Sequence, residues 1–160
     1  MQLWNLGRRA LAVATVKLCL ALGAAFSISA NEATAQVSYP PLVVGDDLGG
    51  LVDTRARFVR QLKQSGQRVE IRGNICYSAC TLYLGASNVC ISPATTFGFH
   101  GPSSYGLPLS PERFEHWSNV MAEFYREPLR SWFMSDARHL RIAMRRISGE
   151  QLIRMGYRSC

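Results

Sequence analysis

The chain opens with a basic head at Arg8 and Arg9, then an apolar run, "ALAVATVKLCLALGAAFSISA", then a small-x-small exit, "ATA", at Ala33 to Ala35. That order reads as a secretory signal peptide cut after Ala35. A membrane anchor is the alternative, but Lys17 interrupts the run and no second hydrophobic span follows. Cys19 lies inside the segment without a lipoprotein box before it, and "GRRALAV" is a poor twin-arginine match. The expected organisation is therefore a signal peptide over residues 1–35 and one domain over 36–160, about 125 residues (160 minus 35). That is enough for a single lean core. The expected location is periplasmic or secreted, with no stable membrane span after cleavage.

Export changes how the cysteines are read. Cys76, Cys80, Cys90 and Cys160 remain in the mature chain. An even number in an oxidising compartment argues for disulfides, and sequence alone leaves three pairings open. The formal charge of +7 becomes +5 once three basic residues and one acidic residue leave with the signal segment. The remaining basic residues, such as Arg55, Arg57, Arg60, Lys63, Arg138, Arg141, Arg145 and Arg146, are scattered along expected helices. This describes a solvated face, with at most a weak attraction to anionic lipid or cell-wall polymer. Nucleic acid is not an expected partner.

Periodicity supplies the elements. "PLVVGDDLGG" is a short apolar strand running into acidic residues and a glycine pair. Val52, Ala56, Val59 and Leu62 recur at helical spacing, and Gly66 stops that helix. "RVEIRG" alternates as a strand, "CTLYLGAS" reads as an apolar helix, and "NVCIS" and "TTFGFHG" read as two further strands. Strand, helix, strand, helix, strand predicts an α/β domain with a parallel, helix-covered sheet and right-handed crossovers. Beyond it, Ser110 is an expected N-cap with Pro111 at the first helical position, and Pro128 should split the long aromatic helix over 110–134. The aromatics Phe114, Trp117, Phe124, Tyr125, Trp132 and Phe133 suit either core packing or a homo-oligomer contact through that helix. Ser148 is the expected cap of a final helix.

The chemistry centres on "CYSACT", in which Ser78 stands between two cysteines at the entry to a helix. A helix N-terminus offers unpaired N–H groups to developing negative charge. A serine hydroxyl needs a base to become a nucleophile, and His100 in "FGFHG" is the candidate. The pair Gly49-Gly50 brings backbone N–H groups close to a substrate oxygen. All of these fall at carboxyl ends of expected parallel strands, where open α/β sheets place their sites. Each also has an ordinary structural reading: a cap, a structural histidine, a turn. A zinc site from Cys76, Cys80, Cys90 and His100 is an alternative, but the spacing matches no common module and export favours oxidation. No metal or other cofactor is expected.

The ordered set "LGGLVDTRARFVRQLKQSGQRVEIRGNICYSACTLYLGA", "FGFHG" and "SGEQLIRMGY" resembles the proteolytic subunit of Clp protease and its crotonase-like relatives, closest to an exported branch of that group. The resemblance covers about Val43 to Tyr157. It implies a crotonase/Clp-protease-like fold, reduced in size, with Ser78 as nucleophile, His100 as general base, and the Gly50 and Ala79 N–H groups as the oxyanion hole. It implies an ATP-independent peptidase or other hydrolase acting on a peptide or a small ester or amide. The chain departs from the family in three places. Asp47-Leu48 stands where Ser-Pro is usual, the first strand–helix unit has no counterpart ahead of Pro40, and "AMRRIS" carries no third-member acid. Asp136 and Glu150 are the stand-ins for that acid. A catalytically silent binding or scaffold protein on the same frame is the alternative function. Disulfides Cys76–Cys90 and Cys80–Cys160 are the expected pairing, tying the serine turn to its neighbouring strand and to the C-terminus.

Overall fold

The computed structural model describes residues 39–160. The expected signal peptide, including Lys17 and Cys19, lies outside them. Strand β1 (Leu42–Val44) is followed by helix α1 (Val52–Ser65), β2 (Val69–Ile71), β3 (Ile75–Tyr77), a 3-10 helix at Ser78–Gly85, β4 (Val89–Ile91) and β5 (Thr96–Phe99). Helices α2 (Pro111–Ala122) and α3 (Leu129–Ser135), a short 3-10 turn, β6 (Arg145–Ser148) and α4 (Gly149–Arg154) complete the chain.

The strands form two small sheets. One is all parallel in the order β1-β2-β4, and the other runs β3-β5-β6 with β3 and β5 parallel and β6 antiparallel. The two are successive halves of the same strand lines. After β1 the chain pairs once more at Asp47 with Cys76, β2 gives way to β3 within four residues, and β4 gives way to β5. The expected single parallel sheet is thus broken in the middle and gains an antiparallel edge. Strand β6 was not anticipated because only Ile147 among its residues is fully buried, so "RRIS" shows no alternation.

Helix α1 packs Ala56, Val59 and Leu62 onto the core, and Gly66 closes it in the left-handed conformation at φ 67°. The segment expected as an apolar α-helix is a 3-10 helix whose residues Ala79 to Leu84 are all buried. Eight residues is long for this geometry. Apolar on every side, it has no solvent face to present, so it threads the core beneath α1.

Ser110 caps α2 by accepting from the Arg113 N–H, and Ser148 and Gln151 form a reciprocal capping box on α4. The helical run is divided between Ala122 and Leu129, and Pro128 stands at the N-cap of α3, where its missing N–H costs no helical bond. Of the aromatics in this region, Phe124, Tyr125 and Phe133 are buried, while Phe114, Trp117 and Trp132 are half-buried. Phe99 meets Tyr125 and Trp132 edge-on, each with ring centroids 5.5 Å apart. Packing within the chain therefore accounts for most of this aromatic surface.

The disulfide pairing differs from expectation. The bonds are Cys76–Cys80 and Cys90–Cys160. Cys90 sits in β4 opposite Glu70 in the first sheet, whereas Cys76 sits in β3 opposite Phe97 in the second, so the two are not neighbours. The turn after β3 returns Cys80 to within 5.3 Å of Cys76, Cα to Cα. The C-terminus lies parallel to β4, with the Cys160 N–H donating to the Ile91 carbonyl, and this delivers Cys160 to Cys90. The thiols needed for the zinc alternative are thus committed to disulfides. Two disulfides suit an oxidising, extracellular location. Among the described residues no helix is long and apolar enough to cross a membrane.

Candidate active site

Strands β3 and β5 are parallel neighbours with Tyr77 opposite Gly98. Ser78 and His100 therefore leave the same end of adjacent strands, which run about 4.8 Å apart. Both line a single cavity of about 650 Å³, together with Gly50. Its other walls come from the segment Gly101–Tyr105, from Leu51, Val52 and Asp53 at the start of α1, and from Arg113, Trp117 and Met121 of α2. The volume lies within the range of ordinary small-ligand sites.

Ser78 holds a left-handed backbone at φ 53°, rare for a residue with a side chain. Such a residue costs on the order of 1–3 kcal/mol and persists where its surroundings over-determine it. Three constraints do so here. The Cys76–Cys80 bond closes the turn on both sides of it. Thr81 Oγ1 donates to the Ser78 carbonyl at 2.7 Å, and because that hydroxyl has one hydrogen, the Tyr125 hydroxyl donates to Thr81 in turn, also at 2.7 Å. The third is Gly49, at φ 112°, against which Ser78 and the Tyr77 carbonyl pack closely. Burial pushes the Tyr125 phenol well above its ordinary value, with the Thr81 hydrogen bond opposing, so it stays a neutral donor.

The glycine pair is itself clamped. Asp47 Oδ1 accepts the Gly49 N–H at 2.7 Å, and Asp47 Oδ2 accepts from Arg55 Nη1 at 2.7 Å. Arg55 Nη2 reaches the Gly49 carbonyl at 3.3 Å, and the guanidinium lies 4.4 Å from the centre of the Tyr83 ring. The Gly49 amide is committed to Asp47, and the next residue, Gly50, lines the cavity. The spacing of eight residues between Asp47 and Arg55 offered no signal, because the contact depends on where α1 starts.

His100 Nδ1 lies 2.7 Å from the carbonyl oxygen of Gly101. A carbonyl only accepts, so Nδ1 carries the hydrogen and the neutral ring keeps its lone pair on Nε2. Nδ1 is thus held by a backbone carbonyl and not by an acid. Neither stand-in acid lines the cavity. Asp136 pairs with Arg145 at 3.1 Å, and Glu150 is an exposed residue of α4. Ala79 is fully buried directly behind Ser78 and does not line the cavity. As the second residue of the 3-10 helix, it stands where N–H groups lack intrahelical partners. Among the described residues no hydrogen bond joins Ser78 to His100. Such bonds are often long without substrate.

No protein-family model and no curated protein sequence matches the chain.

Proposed function

We propose that the protein is an exported serine hydrolase, acting without ATP on amide or ester bonds of peptides or small molecules. The observation that carries this reading is a serine fixed in a left-handed conformation, sharing one cavity with a histidine whose hydrogen-bonded Nδ1 leaves Nε2 basic. The order β1, Gly49-Gly50, α1, β3, Ser78, β5, His100 is the order that the resemblance to the Clp proteolytic subunit implies, and the two disulfides suit export.

In the proposed reaction His100 Nε2 takes the Ser78 hydroxyl proton as Oγ attacks the substrate carbonyl carbon. Negative charge develops on the carbonyl oxygen, facing the Gly50 N–H. The imidazolium then protonates the leaving amine or alcohol, and a water activated by the same ring releases the acyl group. The Gly101 carbonyl supplies orientation and tautomer but no negative charge, so turnover should be slower by some orders of magnitude than with a carboxylate there.

That missing carboxylate favours the second reading, a scaffold that binds without turnover. A fluorophosphonate probe separates the two. Labelling of the folded, oxidised protein that disappears in Ser78→Ala and falls sharply in His100→Ala supports the hydrolase. Absence of labelling in the parent protein leaves the binding protein.

A further inference from the structure

Among the described residues, four ionisable side chains line the cavity: Asp53, His100, Arg113 and the phenol of Tyr105. Asp53 is ion-paired with Arg57, one turn further along α1. Arg113, in the first turns of α2, also lines the cavity, and no carboxylate among the described residues pairs with it. Most arginines of the fold are otherwise placed. Seven form ion pairs, and Arg126 and Arg146 lie over the rings of Tyr157 and Tyr77. Among the described residues, the full charge on the cavity wall without an ion-pair partner is therefore a guanidinium, and Leu109, Trp117 and Met121 line the same cavity.

From this pairing of a lone cation with an apolar wall we infer that the cavity selects substrates carrying a carboxylate beside an apolar group, with Arg113 as the specificity-determining residue. The inference rests on the hydrolase reading for the place where the scissile bond lies, but its recognition step needs no chemistry. A guanidinium donates two parallel hydrogen bonds to a carboxylate, a geometry no neutral amide reproduces. The carboxylate has two sources in a peptide: an acidic side chain or a free C-terminus.

The test uses the oxidised exported protein carrying Ser78→Ala, so that binding is read without turnover. The ligands are short peptides on one apolar sequence. One pair is C-terminally amidated and carries Gln or Glu, and a second carries Gln with an amidated or a free C-terminus. Affinities come from calorimetry. One acidic member should bind about tenfold more tightly than its neutral partner, the discrimination expected of a charge-assisted hydrogen bond. The advantage should shrink to within about twofold in Arg113→Met, return in part in Arg113→Lys, and weaken with added salt. Whichever pair shows the effect identifies the source of the carboxylate. Equal affinity within both pairs, an advantage that survives Arg113→Met, or no binding of any peptide would overturn the inference. Failure of the probe to label Ser78 would remove the hydrolase reading and leave this affinity ratio standing.

Discussion

A Cβ placed on Gly49 would stand 2.6 Å from the Cβ of Ser78 and 2.9 Å from the Tyr77 carbonyl oxygen. The first glycine of the pair is thus the surface on which the serine turn rests, while Gly50 has open space around its own Cβ position. Gly49→Ala should combine a steric clash with backbone strain at φ 112° and cost about 2–4 kcal/mol. Gly50→Ala carries only the strain and should cost about 1–2 kcal/mol. Urea denaturation of both variants under oxidising conditions checks the ranking, and equal losses would contradict it.

The two disulfides should separate stability from site geometry. Cys76–Cys80 closes a loop of sequence separation 4, and Cys90–Cys160 one of separation 70. Loop-closure entropy puts their contributions at about 2 and about 4 kcal/mol. Replacing Cys90 and Cys160 by alanine should lower the unfolding midpoint more. Replacing Cys76 and Cys80 should reduce the rate of fluorophosphonate labelling more, because Ser78 lies between them. Denaturation and labelling on the same two double variants give both orderings.

Asp47 and Arg55 are both mostly shielded from solvent, with side chains 20% and 16% exposed. Arg55→Met should leave the carboxylate unpaired and cost about 2–3 kcal/mol. Asp47→Asn retains an acceptor for the Gly49 N–H and should be milder than Asp47→Ala. Thermal unfolding of the three variants, with labelling rates alongside, checks this order.

Thr81 and Tyr125 hold the Ser78 carbonyl through consecutive hydrogen bonds. Tyr125→Phe removes the outer donor and should cost about 1 kcal/mol. Thr81→Val leaves both the Ser78 carbonyl and the Tyr125 hydroxyl without that partner, so it should cost more and slow labelling more. Comparable effects from the two would argue that the serine backbone does not depend on this chain.

Hydrogen bonds from Arg68 and then Arg72 hold the Glu70 carboxyl below its ordinary value. A depressed carboxylate contributes stability that is complete above its unfolded value and is lost as pH falls through the folded one. Stability should therefore be level above about pH 5 and decline below about pH 4. The decline should be shallower in Glu70→Gln, measured as the urea midpoint against pH.

Much of the scaffold was legible because it depends on local rules. The helical spacing from Val52 to Leu62, the stop at Gly66, the caps at Ser110 and Ser148 and the break at Pro128 all lie where propensity and hydrogen-bond supply put them. Two of the features proposed for the site were also readable, since Ser78 and His100 each directly follow a strand, whereas Gly50 lies in the loop between β1 and α1. What could not be read depends on contacts between segments. β6 is made a strand by the edge of β5 and not by its own pattern. The orienting carbonyl of Gly101 is a backbone atom, which no search for acids would find.

The order of residues alone settled that a hydroxyl and an imidazole would each end a strand and that a glycine pair would precede the first helix, because alternation and turn chemistry act over a few positions. Which cysteines meet, which acceptor holds His100, and that Arg113 faces the same cavity as Ser78 were decided only when the strand lines broke into two sheets. Those outcomes depend on the packing of segments far apart in the chain, for which single-chain periodicity carries no term.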